Sequence, residues 1–283
     1  MKTLRTTLLS NKQGVSHAIS AVIITTTIIA LVLAASMYAY QVLEQHRATA
    51  EFECAKESIL AFNDALENVA WKPQATRSVR FTVEYGELRL IPNANSLEVV
   101  ANVAGTNYTL YSETASILSY YILDKYITYG SGYESYILGS QNAILIGSAG
   151  SYGRAVVKQN SGWVYVTLDY RVRAMLSSII NVTGNNVNYV DFWIIKPWID
   201  ASIPYAYIHD FDLKARCLRV RTANPSGVIE VVGDNVDAVF YVKVGTWNPK
   251  PPPSISLKPN FPEGDGKTRV VFNVIVAEVQ VYV

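Results

Sequence analysis

VSHAISAVIITTTIIALVLAASMYA, residues Val15–Ala39, decides how the rest of this chain is read. These 25 residues contain no Asp, Glu, Lys or Arg, and the uncharged run continues to Leu43. At about 1.5 Å per residue a helix of that length reaches roughly 37 Å, enough to cross a hydrocarbon core of about 30 Å. Five Ile, three Val and two Leu favour insertion by about 5 kcal/mol, at roughly 0.5 kcal/mol each, before the polar residues subtract. Lys2, Arg5 and Lys12 precede the run and the first acid is Glu44. The positive-inside rule then keeps the N-terminus cytoplasmic and places everything after Tyr40 outside. Tyr38 and Tyr40 fall where an interfacial aromatic belt sits. His17 reads as a neutral histidine near the cytoplasmic interface, and the hydroxyls of Thr25, Thr26 and Thr27 can bond back to helix carbonyls. A cleaved secretory signal has a shorter apolar core, of about 7–15 residues, and Ala34-Ala35-Ser36 makes a poor cleavage site. An ordinary signal anchor meets the same length criterion.

Outward from this run, the pattern changes without a break. No glycine or proline occurs in the 58 residues between Gly14 and Pro73, which permits one continuous helix on the order of 85 Å long. Past the apolar run, Ala48, Phe52, Ala55, Ile59, Phe62, Leu66 and Val69 recur at alternating steps of 4 and 3. Glu51, Glu53, Lys56, Glu57, Asp64 and Glu67 lie off that stripe. The first half of the helix therefore requires an apolar surround, and the second half lays one face on a folded head. Trp71-Lys72-Pro73 ends it, because the residue before a proline is pushed out of the helical region.

A short basic leader, then Lys12-Gln13-Gly14, then Val15-Ser16 opening a long apolar helix joined to a β-rich head, resembles the archaeal type IV pilin and archaellin-like proteins with a class III signal peptide. The resemblance covers roughly residues 1–70. It implies cutting by a prepilin peptidase between Gly14 and Val15, with Lys12, Gly14 and Val15 as the cleavage determinants. It also implies a mature helix whose Ile19, Ile23, Ile24, Ile28 and Leu31 pack in a filament core. Two departures stand out. Gln13 occupies the position before the final glycine, where the family often has a basic residue. Ile19 stands five residues into the mature chain, where bacterial pilins carry a glutamate and archaeal relatives commonly do not. The implied partners are the peptidase, the pilus assembly machinery, the membrane, and copies of itself or related pilins. A heterologous contact that does not close gives a filament.

From Ser78 the period becomes two. Val79, Phe81 and Val83 alternate with polar neighbours, and Tyr85-Gly86-Glu87 turns toward Leu88 and Leu90, which reads as a hairpin. Val164, Val166, Leu168, Tyr170 and Val172 mark the clearest half-buried strand. Further strands are expected at 97–103, 143–146, 155–157, 228–232, 238–244 and 269–283. Thr114–Lys125 suits a short helix or a strand. The fold class is α+β: a hydrophobic-then-amphipathic helix over 15–72 after a leader of 1–14, then an antiparallel β-sandwich-like head over 73–283. That head forms one sandwich or two subdomains divided near 175–190.

Twenty-four basic against 23 acidic side chains give a net charge of +1, which rules out nucleic-acid binding driven by bulk charge. Gly147, Gly150 and Gly153 do not match a dinucleotide fingerprint and read as a hairpin loop, and Gly266-Lys267-Thr268 lacks the first glycine of a phosphate loop. Only His17, His46 and His209 are present, so a Ser-His-Asp triad would need His209, and a thiol–imidazole pair would need His209 with Cys217. Asp210 and Asp212 lack an EF-hand pattern. We expect no catalytic residues, no metal and no cofactor. Cys54 and Cys217 fit either a disulfide closing a long loop or two separate thiols. Asn107 and Asn181 open candidate glycosylation sequons. The reading is a pilin-like structural and adhesive filament subunit, not an enzyme. The alternative is a monomeric membrane-anchored extracellular binding module with a tyrosine-lined pocket.

Overall fold

The computed structural model describes residues 3–103, 106–180, 186–202, 206–207, 209–223, 229–233, 238–244, 254–257 and 268–283. One long helix precedes a β-rich domain of two sheets, an α+β arrangement. The chain divides into two compact units, Met1–Thr49 and Ala50–Val283. Helix α1 spans Thr3–Ala70, and by length and composition its apolar part is sufficient to cross a membrane.

Within the second unit, the stripe read from the sequence is the buried face of α1. Phe52, Ala55, Ile59, Phe62, Leu66 and Val69 are all buried. Phe52 meets Tyr120 at 6.1 Å between ring centroids, and Phe62 meets Phe81 edge-on at 6.4 Å. Burying each such side chain contributes about 1.5–3 kcal/mol. The helix stops at Ala70, where Pro73 forbids continuation. The Lys72 amide bonds back to Val69 at 2.9 Å. Gln74 then takes a left-handed φ of 69°, and its amide donates to the Cys217 carbonyl at 2.9 Å. That contact hands the chain to the first strand.

The strands in chain order are β1 (Thr76–Phe81), β2 (Glu87–Val103), β3 (Thr106–Leu123), β4 (Glu134–Leu138), β5 (Ile144–Ile146), β6 (Gly153–Asn160), β7 (Trp163–Tyr170), β8 (Val172–Ile180), β9 (Asn186–Trp198), β10 (Ala206–Tyr207), β11 (Phe211–Thr222), β12 (Ile229–Gly233), β13 (Ala238–Val244), β14 (Ser254–Leu257) and β15 (Thr268–Tyr282). A seven-stranded sheet runs β1-β11-β15-β9-β8-β5, with β12 also on β15. An eight-stranded sheet runs β14-β13-β2-β3-β7-β6-β4, with β10 on β2. Leu97, Val99 and Leu110 of the second sheet share one core with Val172, Phe192 and Val274 of the first. Phe81 and Tyr120 belong to different sheets, so the helix segment packs on both.

Several expectations are corrected. The head is not wholly antiparallel: β9 pairs β15 in parallel, as does β5 with β8. The long excursion between β9 and β15 supplies the crossover that a parallel pair needs. Residues 79–83 and 88–90 do not form a hairpin, because β1 pairs β11 in one sheet and β2 pairs β3 in the other. The Gly147–Gly153 segment is likewise no hairpin loop but a passage from β5 in the first sheet to β6 in the second. Its carbonyls at Gly147, Gly150 and Ser151 are held by the guanidinium groups of Arg173 and Arg171. Thr114–Lys125 is strand through Leu123. Within 175–190, where one alternative placed a subdomain division, β8 and β9 are hydrogen-bonded to each other.

Candidate functional site

Every residue from Ile19 to Gln41 is exposed in the first unit. The exposed side chains include Ile19, Ile23, Ile24, Ile28 and Leu31, each more than half accessible. At 100° per residue, Ile24, Ile28 and Leu31 fall on one side of the helix, while Ile19 and Ile23 fall toward the other. No single partner helix covers both sets. An apolar surround on several sides is required, from lipid or from several neighbouring helices. The three threonines in this stretch do not expose unpaired hydroxyls: Thr25, Thr26 and Thr27 donate to the carbonyls of Ala21, Val22 and Ile23 at 2.9, 2.7 and 2.8 Å. Such back-bonding lets a hydroxyl enter an apolar medium without an unsatisfied donor. Lys12, Gly14 and Val15 lie in the backbone of α1, and side chains before Ile19, His17 included, lie outside the described residues.

In the second unit, two carboxylates of α1 that lie off the apolar stripe, Glu51 and Glu67, tie the helix to the head. Glu51 is only 9% exposed. Its carboxylate accepts the amides of Glu84, Tyr85 and Gly86 at 3.0–3.1 Å, together with the Tyr120 hydroxyl. These are the amides of the link between β1 and β2, which leave the ladders as the chain changes sheets and find in Glu51 the acceptor that a neighbouring strand would have supplied. Gly86 must be glycine here, since a Cβ would stand 2.2 Å from the Tyr120 hydroxyl and 2.6 Å from the Tyr121 carbonyl. Burial, reinforced by the Glu51 carboxylate, pushes the Tyr120 phenol far above its ordinary pKa, so it stays a neutral donor. Four turns on, Glu67 accepts the Gly153 amide at 3.1 Å and the Ser151 hydroxyl at 2.5 Å. Asn63 adds 3.1 Å bonds to Glu67 and Ser151. One carboxylate therefore holds each of two passages between the sheets, β1 to β2 and β5 to β6. A turn rich in backbone donors with no partner strand, Tyr85-Gly86, was the available signal.

The candidate disulfide does not form. Cys54 is an exposed free thiol and Cys217 a buried one. Cys217 donates its S–H to the Ala70 carbonyl at 3.0 Å, and Ala70 stands 16 residues, about 24 Å, along the helix from Cys54. Bridged Cα atoms lie within about 7 Å of each other. Burial pushes the Cys217 thiol up, further from reactivity. His209 is exposed while Cys217 is committed to Ala70, so the two form no pair. Asp210 accepts the Val83 amide at 3.3 Å and faces Arg80 at 3.4 Å. Among the described residues, no three His, Cys, Asp or Glu side chains come together to hold a metal. Asn107 is exposed on β3, and Asn181 lies outside the described residues. Compared with protein-family models, curated proteins and solved structures, the chain matches none.

Proposed function

We propose that this chain is a structural subunit of an archaeal type IV pilus-like surface filament, exported with its head outside and its N-terminus cytoplasmic. The observation that carries the reading is the apolar stretch Ile19–Gln41, exposed on all sides of the helix. Lipid satisfies that surface before assembly, and the helices of several identical subunits satisfy it afterwards. Leaving it in water would cost about 1.5 kcal/mol or more for each large side chain. The tethering of α1 by Glu51 and Glu67 supports the same reading, since a filament subunit must bear load between its core helix and its head. By resemblance, a prepilin peptidase cuts between Gly14 and Val15, and an assembly ATPase with its membrane platform moves the subunit into the filament. Adhesion is the role proposed for the filament.

Placing a charge at Ile24 or Ile28, as Ile24→Asp or Ile28→Asp, is expected to abolish filaments seen by electron microscopy. Ile28→Ala, which keeps the segment apolar, is expected to stay in the membrane fraction and still assemble. Unchanged filaments in the Asp variants would refute assembly through this helix. A second reading, a monomeric membrane-anchored binding module, is favoured by one feature of the head, a polar and aromatic cleft on the outer face of its eight-stranded sheet.

A further inference from the structure

In the eight-stranded sheet, Leu118, Tyr120 and Ile122 of β3 and Val164, Val166 and Leu168 of β7 point inward and are buried. Their alternates face the other way and form a cleft of about 310 Å³, at the lower end of the range for small-ligand sites. The cleft is built by side-chain length. Across the strands run three neighbouring rows set by the pairing register. Ser119, Thr167 and Val156 form a low middle row. Tyr121, Tyr165 and Lys158 stand on one side of it, and Asp169 with Arg154 on the other.

Each row has a distinct chemistry. In the floor, the Ser119 and Thr167 hydroxyls lie 2.8 Å apart. The first wall is aromatic: Tyr121 and Tyr165 stack at 5.0 Å between centroids, and the Arg89 guanidinium sits 4.0 Å from the Tyr121 ring centre. The second wall is a forked ion pair, with Arg154 Nε 2.7 Å from Asp169 Oδ1 and its Nη2 on Oδ2. Arg154 and Asp169 are 7% and 8% exposed. Burying such a pair costs several kcal/mol per ion before the attraction repays it, and two apolar residues would hold these strands as well or better. The fold alone gives no reason to keep it. Each Asp169 oxygen that receives one Arg154 donor has a second lone pair to offer.

The charges around the cleft are matched. Arg154 faces Asp169, Lys158 faces Glu134 at 3.2 Å, and Arg89 faces Glu87. A field cancelled in pairs selects against strongly ionic ligands and leaves local donors and acceptors. The face of Tyr165 turned away from Tyr121, beside the Thr167 hydroxyl and a forked donor–acceptor pair, suits a molecule with an apolar C–H face and a rim of vicinal hydroxyls. We infer that this cleft, between the Tyr121–Tyr165 wall and the Arg154–Asp169 pair, binds a neutral saccharide. The site lies wholly in the head and stands whether or not the chain polymerises.

The test uses the full chain in a zwitterionic detergent with no sugar headgroup. Neutral di- and trisaccharides of glucose, galactose and mannose are titrated in, with a sialylated trisaccharide as the anionic control. Trp163, edge-on to Tyr121 at 6.2 Å, provides a fluorescence reporter, and saturation-transfer NMR gives an independent readout. At least one neutral sugar is expected to bind saturably with a millimolar or tighter Kd. Tyr165→Ala is expected to weaken it roughly tenfold, and Thr167→Val severalfold, both in variants that keep the parent's circular-dichroism spectrum at the assay temperature. No saturable binding up to about 10 mM, unchanged affinity in both variants, or binding confined to the sialylated control would each overturn the inference.

Discussion

Replacing Glu51 with alanine removes one carboxylate that serves four donors: the amides of Glu84, Tyr85 and Gly86 and the Tyr120 hydroxyl. Hydrogen bonds to a charged acceptor contribute about 1.5–3 kcal/mol each, but bonds to one carboxylate are not additive, and some orphaned donors regain water. A loss of about 3–5 kcal/mol is expected for Glu51→Ala, less a few tenths regained from the better helix propensity of alanine. For a domain of this size each kcal/mol moves Tm by about 2–4 °C, so the fall is roughly 6–20 °C. Tyr120→Phe removes only the phenol hydroxyl and leaves three amides on the carboxylate, so about 1–1.5 kcal/mol is expected. The double variant should lose less than the sum, since both remove the same contact. The assay is urea unfolding of the full chain in detergent, followed by near-ultraviolet circular dichroism of the head tryptophans. A Glu51→Ala midpoint equal to that of the parent chain would refute the tethering role. So would a Tyr120→Phe loss as large as that of Glu51→Ala.

Other outcomes follow from the same contacts. Under native conditions a maleimide should modify Cys54 rapidly and Cys217 only on unfolding, and Cys54→Ser should leave stability within about 0.5 kcal/mol of the parent; equal labelling rates would contradict the burial of Cys217. Acid should destabilise the head through Glu113 and Glu278. Burial alone would raise both carboxyls, but Lys196 and Arg221 hold Glu113 below its ordinary 4.5, and Arg219 and Arg221 do the same for Glu278. Their contribution is therefore full above about pH 4.5 and drains as pH falls through the lowered native values. Melting temperature measured from pH 6 to pH 3 should drop less steeply in Glu113→Gln/Glu278→Gln than in the parent, and identical slopes would refute the assignment.

The helix was the most legible part of the chain. Its stripe from Ala48 to Val69 repeats every 3.5 residues on average, and all seven of its members are buried. β7 and β13 were equally plain, because strict alternation or a bounded apolar run leaves few other readings. β11 was overlooked although Phe211, Leu213, Ala215 and Cys217 alternate with Asp212, Lys214 and Arg216. Ala and Cys carry too weak a hydrophobic signal to mark a strand on their own. β9 was hidden for the opposite reason: its second half, Phe192–Ile195, is apolar without alternation, as a central strand covered on both faces must be. Sheet membership could not be read locally, since β1 and β2 are joined by five residues yet pair with strands far away in sequence. Glu51 flanks the buried stripe at an angle compatible with solvent, and only the fold brings the 84–86 amides to it. The cleft depends on register, which sets Ser119 beside Thr167 and Arg154 beside Asp169. Strand pairing fixes that register, and composition does not report it.

Assembly through the apolar helix is tested most directly by the mature N-terminus, read by mass spectrometry of membrane and sheared surface material. A filament subunit processed by a prepilin peptidase begins at Val15 and has 269 residues, the 283 less its 14-residue leader. A chain that begins at Met1, or after Ser36, would contradict the filament reading and leave an anchored or secreted β-domain.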